Sequence, residues 1–394
     1  NKSFACDSIT HINQKMTKIG WVSTWNSNCG IASYSHHLVE KIHSEIIIFS
    51  PYDEPNILDN DLKVIPSWQL NSGNLYCLEN LFNEILLQEI TTLVIQFNYG
   101  FFDFNEFNQF IKKLKSYNIN LIIFLHSTQD PINNPSKSLS LISESLKLFD
   151  RLMVHTIADL NRLKSLGLIE NVCLFPHGIL DYTPPRSNPF SFRKLGKIIK
   201  NKRISSYGYC LPNKGYSELI HAISILNKKN FNIHLDIFSA IYNSDFLYIY
   251  DELKELIKNL NQQKWININS NYFSDEETLN TLSNYDCIIF PYQMSNESSS
   301  AAVRHGLASR KPVLVSPLPI FDDVSDFVDY LPGTSSLDIA KGISEWYLRT
   351  PDEMKSSQNN VDIKGYEEKI NQITFSKLAY RLFSIIRCLE VNLY

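Results

Sequence analysis

A single carboxylate, Glu297, is followed at once by three hydroxyls, Ser298, Ser299 and Ser300, and then by the helix-like segment "AAVRHGLAS". The apolar run "DCIIFP" precedes this group and "PVLVS" follows it. Each run has the length and β-branched content of a buried strand. A helix that starts at the end of such a strand presents unpaired N–H groups and a partial positive charge. Serine hydroxyls add further donors, so the place suits an anion such as a phosphate. A simpler reading is also open, in which Ser298 only caps the helix. "SYGYCLPNKGYSELIHAISIL" repeats the pattern, with a strand ending near Gly208, a Pro-Asn turn, Lys214-Gly215 and a helix. A lysine placed there can lie as a point charge against a phosphate, or can be a solvated loop residue.

These groups need a frame that sets strand ends side by side. Short β-rich runs alternate with amphipathic segments along the 394 residues. "KIGWVST", "EIIIFS", "TLVIQF", "NLIIFLH", "RLMVH" and "NVCLFP" come first; "RISSYGY", "FNIHLDIFS", "KWININ", "DCIIFP" and "PVLVS" come later. Such alternation builds βαβ units and parallel sheets. Between the two sets, 181–203 holds three prolines and seven basic residues without a clear period, and reads as a linker. Two α/β halves are expected, roughly 1–182 and 183–369, with a cleft between them and a long amphipathic helix after 370. In such sheets ligands bind beyond the carboxyl ends of the strands.

Bulk properties narrow the classes. With 44% apolar and 20% charged residues the chain is an ordinary globular one, and its net charge of −4 gives no general attraction to nucleic acid. Seven cysteines without a C-x-x-C pair fit a reducing, cytoplasmic setting. No apolar run reaches the ~20 residues of a membrane helix and no leader peptide is visible. The chain opens on Asn1 rather than Met, which leaves room for a longer multidomain polypeptide. "DND" at 59–61 imitates a D-x-D metal motif but follows no buried strand end, so no metal is expected. There is no G-x-G-x-x-G after the first strand and no G-x-S-x-G elbow, which argues against a dinucleotide oxidoreductase and a serine hydrolase. "FIKKLK" at 110–115 can touch an anionic membrane surface or be an exposed helix face. "FDDVSD" at 321–326 reads as the acidic first turn of a helix or as a contact for substrate hydroxyls.

With these motifs in view, the chain resembles the retaining family-4 glycosyltransferases of the GT-B fold, most clearly over Tyr207–Leu226 and Asp286–Val324, and less so over Gly20–Val39, His126 and "FPHG" at 175–178. The resemblance implies two facing Rossmann-like domains, with the last helix, 370–394, returning to the first. It implies transfer of a sugar from a nucleotide-diphosphate sugar to a hydroxyl of a glycan or lipid-linked glycan, with retained configuration. The donor is then a substrate and no separate cofactor is called for. Lys214 and Gly208 would hold the diphosphate, Glu297 the donor sugar, and Ser298–Ser300 the phosphates. His126 would bond the sugar, or be a structural strand-end residue. Gly30 would admit ligand close to the backbone, or serve a tight turn. His177 would face the cleft, or Gly178 would serve as a hinge. Tyr272 is a candidate surface for the donor base.

Two positions depart from that family. His305 stands where a ribose-binding acid is usual, and Tyr209 where a phosphate-binding arginine is usual. A nucleotide-sugar 2-epimerase or phosphorylase on the same fold is a second reading, and these losses encourage a third, a degenerate nucleotide- or glycan-binding module.

Overall fold

The computed structural model describes residues 17–27, 29–55, 62–70, 77–182, 202–241, 243–295, 297–349 and 363–391. Among the described residues the first half carries seven strands, β1 (Lys18–Val22), β2 (Glu45–Pro51), β3 (Lys63–Trp68), β4 (Thr92–Phe97), β5 (Asn120–Leu125), β6 (Arg151–Val154) and β7 (Val172–Leu174). They form one sheet in the order β3-β2-β1-β4-β5-β6-β7, and every pairing is parallel. Its helices are α1 (Gly30–Val39), α2 (Cys77–Leu87), α3 (Phe104–Lys115), α4 (Ser143–Leu146) and α5 (Ile157–Ser165). The second half has β8 (Arg203–Tyr207), β9 (His234–Phe238), β10 (Ile266–Asn269), β11 (Cys287–Phe290), β12 (Val313–Val315) and β13 (Asp329–Tyr330), in the all-parallel order β10-β9-β8-β11-β12-β13. Its helices are α6 (Tyr216–Lys228), α7 (Leu247–Asn259), α8 (Asp275–Leu282), α9 (Ala301–Ala308) and α10 (Ser336–Leu348). Then come α11 (Ile363–Gln372) and α12 (Phe375–Val391).

Every residue of β4 and β5 is buried, as expected for strands covered by helices on both faces. One face packs Phe97, Leu121 and Ile123 against Phe107, Ile111 and Leu114 of α3. The other packs Val94, Ile122 and Phe124 in one cluster with Tyr34 of α1 and Phe375, Leu378, Leu382 and Ile386 of α12. So the last helix lies on the first sheet. It arrives there beside the outgoing chain: Ile179 N–H donates to the Ile373 carbonyl at 2.9 Å, and Phe375 N–H donates to the Ile179 carbonyl at 2.9 Å.

Strand order reverses between β1 and β4 in one sheet, and between β8 and β11 in the other. These reversals open crevices at the carboxyl ends, and both sequence-predicted anion turns fall at the second one. Two strands were not anticipated. β3 contains Pro66, which an edge position tolerates, and β13 has only two residues. "FDDVSD" lies in a 3-10 helix, Pro319–Phe327, with Asp322 in its first turn, so an acidic helix start describes part of it, while Asp323 pairs with the buried Arg304. Most of the linker, 183–201, and "DND" at 59–61 lie outside the described residues. In "FIKKLK", Lys113 pairs with Glu79 at 2.8 Å and Lys115 with Asp150 at 2.9 Å, so two of its cations are engaged within the protein.

Candidate functional site

The second half builds its side from two interlocked turns. Gly208 leaves β8 with φ +146°, and Gly215 caps α6 with φ +74°, a left-handed conformation that glycine adopts at little cost. A Cβ on Gly215 would lie 1.7 Å from the Pro291 carbonyl oxygen, so the turn before α6 is pressed against the turn after β11. The Gln293 N–H donates to the Asn213 carbonyl at 2.8 Å, and its side-chain amide donates to the carbonyls of Pro291 and Thr334 at 3.0 and 2.9 Å. This close approach sets Lys214 with its ammonium 4.0 Å from the centre of the Tyr292 ring. Burial works against that charge, but Tyr292 and the Glu297 carboxylate outweigh it and hold the ammonium pKa above its ordinary value. Lys214 and Glu297 are thus neighbours through space, although they form no direct ion pair, and Glu297 is exposed.

The three serines divide their work. Ser300, not Ser298, caps α9, accepting from the Val303 N–H at 3.3 Å. Ser299 keeps a buried hydroxyl without a hydrogen-bond partner. Ser298 donates across to the first half, to Asp159 Oδ1 at 2.7 Å. Asp159 is fully buried at the start of α5, where it also accepts from the Thr156 backbone at 3.1 Å, the Thr156 hydroxyl at 2.6 Å and the Thr128 hydroxyl at 2.6 Å. Arg162 donates to the same Oδ1 at 3.2 Å. This crossing was not visible in the sequence, although T-x-x-D at 156–159 carries the pattern of a capping box, which is the form it takes.

His305 lies on α9 with its Nε2 2.7 Å from Asp275 Oδ1 and its ring 5.0 Å from that of Tyr207. Asp275 opens α8, and its other oxygen is 3.0 Å from His37 Nε2 of α1. Burial alone would raise the Asp275 carboxyl, yet the two imidazoles hold it well below the usual carboxylate range. Burial likewise pushes the Tyr207 phenol up to about 12. A carboxylate therefore does reach His305, but from α8 rather than α9. Tyr272, in the loop before α8, is 62% exposed. Tyr209 is half-buried beside Gly208.

Apart from Asp159 and Arg162, the first half brings a neutral cluster to the site. His126 ends β5 with Nε2 2.7 Å from Gln96 and Nδ1 3.2 Å from His155 Nε2. His155 Nδ1 in turn meets the Phe175 carbonyl at 3.0 Å. Tyr34 stands edge-on to His126, His155 and His177 with ring centres 5.0, 5.5 and 5.0 Å away. Burial lowers the pKa of all three imidazoles, which keeps them neutral. Gly30 starts α1 with nothing within 4 Å of where a Cβ would stand, so it fronts open space. Its loop is pinned by Glu54, which accepts from the Trp25 and Asn26 N–H groups at 2.9 Å. Gly178 is explained by packing: a Cβ would come 2.5 Å from the Phe375 ring. The His177 carbonyl accepts from Arg304 at 3.3 Å, and Arg304 also holds the Ser300 carbonyl at 2.7 Å and Asp323.

Among the described residues no group of three or more His, Cys, Asp or Glu is arranged to hold a metal ion, and no helix is long and apolar enough to cross a membrane. A cavity of about 320 Å³, lined by Arg203, His234, Asp236 and Trp265, lies at the amino ends of β8–β10, the wrong end of the sheet for the chemistry above.

No family model matches this chain, and no curated protein matches it by sequence. Solved structures do. A glycosyltransferase from Rickettsia africae superposes with a TM-score of 0.70 at 14% identity, covering 95% of this chain and 99% of that one. HepE from Anabaena in complex with UDP gives 0.71 at 11%, covering 94% and 100%. Sucrose-phosphate synthase from Thermosynechococcus elongatus gives 0.69 at 12%, covering 95% and 100%. At such identities the likeness establishes the fold: two Rossmann-like sheets in the GT-B arrangement.

Proposed function

We propose that this protein is a glycosyltransferase that moves a hexosyl group from a nucleotide-diphosphate sugar to a hydroxyl of a glycan or lipid-linked glycan, with retained configuration and no essential metal. The reading rests above all on Lys214, raised in pKa between Tyr292 and Glu297 where α6 and α9 begin. A departing diphosphate gathers charge on its oxygens. The Lys214 ammonium, the N–H groups opening α6 and α9, and the spare hydroxyl of Ser299 favour that charge. As the glycosidic bond breaks, the sugar carbon becomes cationic, and the exposed Glu297 carboxylate favours it from the side. Ser298 joins the phosphate by turning from Asp159.

Asp275, with His305, takes the ribose hydroxyls, because a carboxylate oxygen accepts from a diol while its imidazole partner holds it in place. Tyr272 stacks on the base. His126 meets the donor sugar from the first half, and Gly30 leaves room for the acceptor in front of α1. The division at 182/183 assigns acceptor-side work to the first half, completed by α12, and donor binding to the second. The solved relatives agree in kind: HepE carries UDP, and an E. coli protein of the same architecture carries UDP-2-fluoro glucose. Work on lipid-linked acceptors would place the protein in the bacterial cytoplasm, at the inner face of the membrane.

Incubation with a panel of nucleotide sugars tests the proposal. Transfer or slow donor hydrolysis is expected. A donor returned as its epimer would favour an epimerase, and binding without turnover a binding module.

A further inference from the structure

Two imidazoles lie in series inside the first half, ending on a backbone carbonyl at one side and a side-chain amide at the other. The Phe175 carbonyl is 3.0 Å from His155 Nδ1, His155 Nε2 is 3.2 Å from His126 Nδ1, and His126 Nε2 is 2.7 Å from the Gln96 side chain. Three hydrogen bonds need three hydrogens along this line. Two neutral imidazoles supply two, one each. The carbonyl end supplies none. With the oxygen of Gln96 facing His126, the line would need an imidazolium, and burial opposes that at both rings; at His155 burial, with the Arg304 guanidinium, outweighs the Phe175 carbonyl and the Asp159 and Asp323 carboxylates, which favour the charge. In that orientation the Gln96 NH₂ group is also buried without a partner. Turning the amide end for end supplies the missing hydrogen and moves the unpartnered place from the NH₂ donor to the carbonyl oxygen, which is left unpaired somewhat more often in buried sites. Hydrogen-bond counting is the accepted basis for assigning such amides.

The direction of the line is then fixed from its carbonyl end. Nδ1–H of His155 donates to Phe175, Nδ1–H of His126 donates to His155 Nε2, and the Gln96 amide donates to His126 Nε2. We infer that His155 is a positioning residue that locks His126 as its Nδ1–H tautomer, leaving Nε2 as a lone-pair acceptor guarded by Gln96. Any ligand group that replaces the Gln96 amide on that nitrogen must bring its own hydrogen. A hydroxyl does so, whereas a phosphate oxygen or a carbonyl does not. This specificity rests on the sugar-transfer reading, where the partner would be a sugar hydroxyl, but the tautomer itself does not.

Long-range ¹H–¹⁵N correlation of the histidine side chains in the full, ligand-free chain reads the tautomer directly, with His126→Gln used to assign the His126 signals. His126 is expected to show a protonated Nδ1 and an unprotonated Nε2 at pH 7.5. An Nε2–H tautomer or an imidazolium would overturn the inference. His155→Leu removes the acceptor at similar volume and should release His126 toward the Nε2–H form, while His155→Gln, whose carbonyl can still accept, should retain Nδ1–H. An unchanged His126 tautomer in His155→Leu would also overturn it; if that variant does not fold, the wild-type spectrum still decides. In turnover, His155→Leu should lose roughly tenfold in kcat, the usual effect of removing a group that orients a ligating or catalytic ring, and His155→Gln should recover most of it. Failure of every nucleotide sugar to react would defeat the proposed function, while the spectra, taken without substrate, would still judge His155.

Discussion

At the carboxyl ends of β4, β5 and β6 the first half sets Gln96, His126 and His155 among aromatic rings, all of them neutral. At the ends of β8 and β11 the second half sets an ammonium, an exposed carboxylate and hydroxyls at two helix starts. One topology serves both halves, so the sheet decides only where groups are displayed. Which residues occupy the strand ends decides what they can bind: polar but uncharged ligand parts on one side, anionic ones on the other. Among the contacts that join the sides are Ser298 to Asp159, Arg304 to the His177 carbonyl, and Asp275 between His37 and His305.

The largest blow to the charged side should come from Lys214→Ala or Glu297→Ala, each lowering kcat with a nucleotide-sugar donor by roughly 10²–10³, the loss of one aimed electrostatic group. Equal turnover in a folded variant would remove that residue from the chemistry. Gly215→Ala tests the turn that carries Lys214. With a left-handed φ and a backbone oxygen in the way, it should cost about 3 kcal/mol or more, read as a lowered midpoint in denaturant.

Acid should strike the neutral side first. His126, His155 and His177 have lowered folded pKa values, so the unfolded chain takes up protons near its ordinary pKa of about 6.5 while the native chain does not. Stability is therefore intact above about pH 7 and falls as pH drops below 6.5, by up to ~1.4 kcal/mol per pH unit for each histidine. The Asp275 carboxyl, held low, keeps its contribution through this window and loses it only in strong acid. Tm measured from pH 7.5 to 5 checks the fall, and His177→Gln should flatten it. Asp275→Asn should weaken donor binding about tenfold, a charged hydrogen bond or two, and His305→Ala somewhat less, both by calorimetry. The smallest effect, severalfold on donor Kd, is expected for Tyr272→Ala, whose ring is mostly in solvent.

The alternation of apolar runs and helical periods revealed the doubly wound sheets because fully buried parallel strands read as unbroken apolar stretches. β3 escaped because Pro66 interrupts its run. The anion turns were legible because strand, glycine and helix start are consecutive there. What stayed hidden comes from pairings distant in sequence. Asp275 reads as one of three acids opening a helix, and nothing nearby says that His37 will meet it. Asp159 reads as a cap, and Arg304 as a surface cation one residue before His305, yet it is buried on a carbonyl of the other half.

The chain passes between the halves at 179–182 and returns at 373–375 along the same line, with Phe375 seated on Gly178 and Asp181 accepting from the Ser376 N–H at 3.0 Å. Two adjacent, hydrogen-bonded passages tie the halves together along one line. They also make the first sheet dependent on a helix that follows the whole second half in the chain. Trp21, Tyr34 and Phe124 gain their cover only when α12 docks, so a folding intermediate that lacks this contact presents a greasy wall to chaperones.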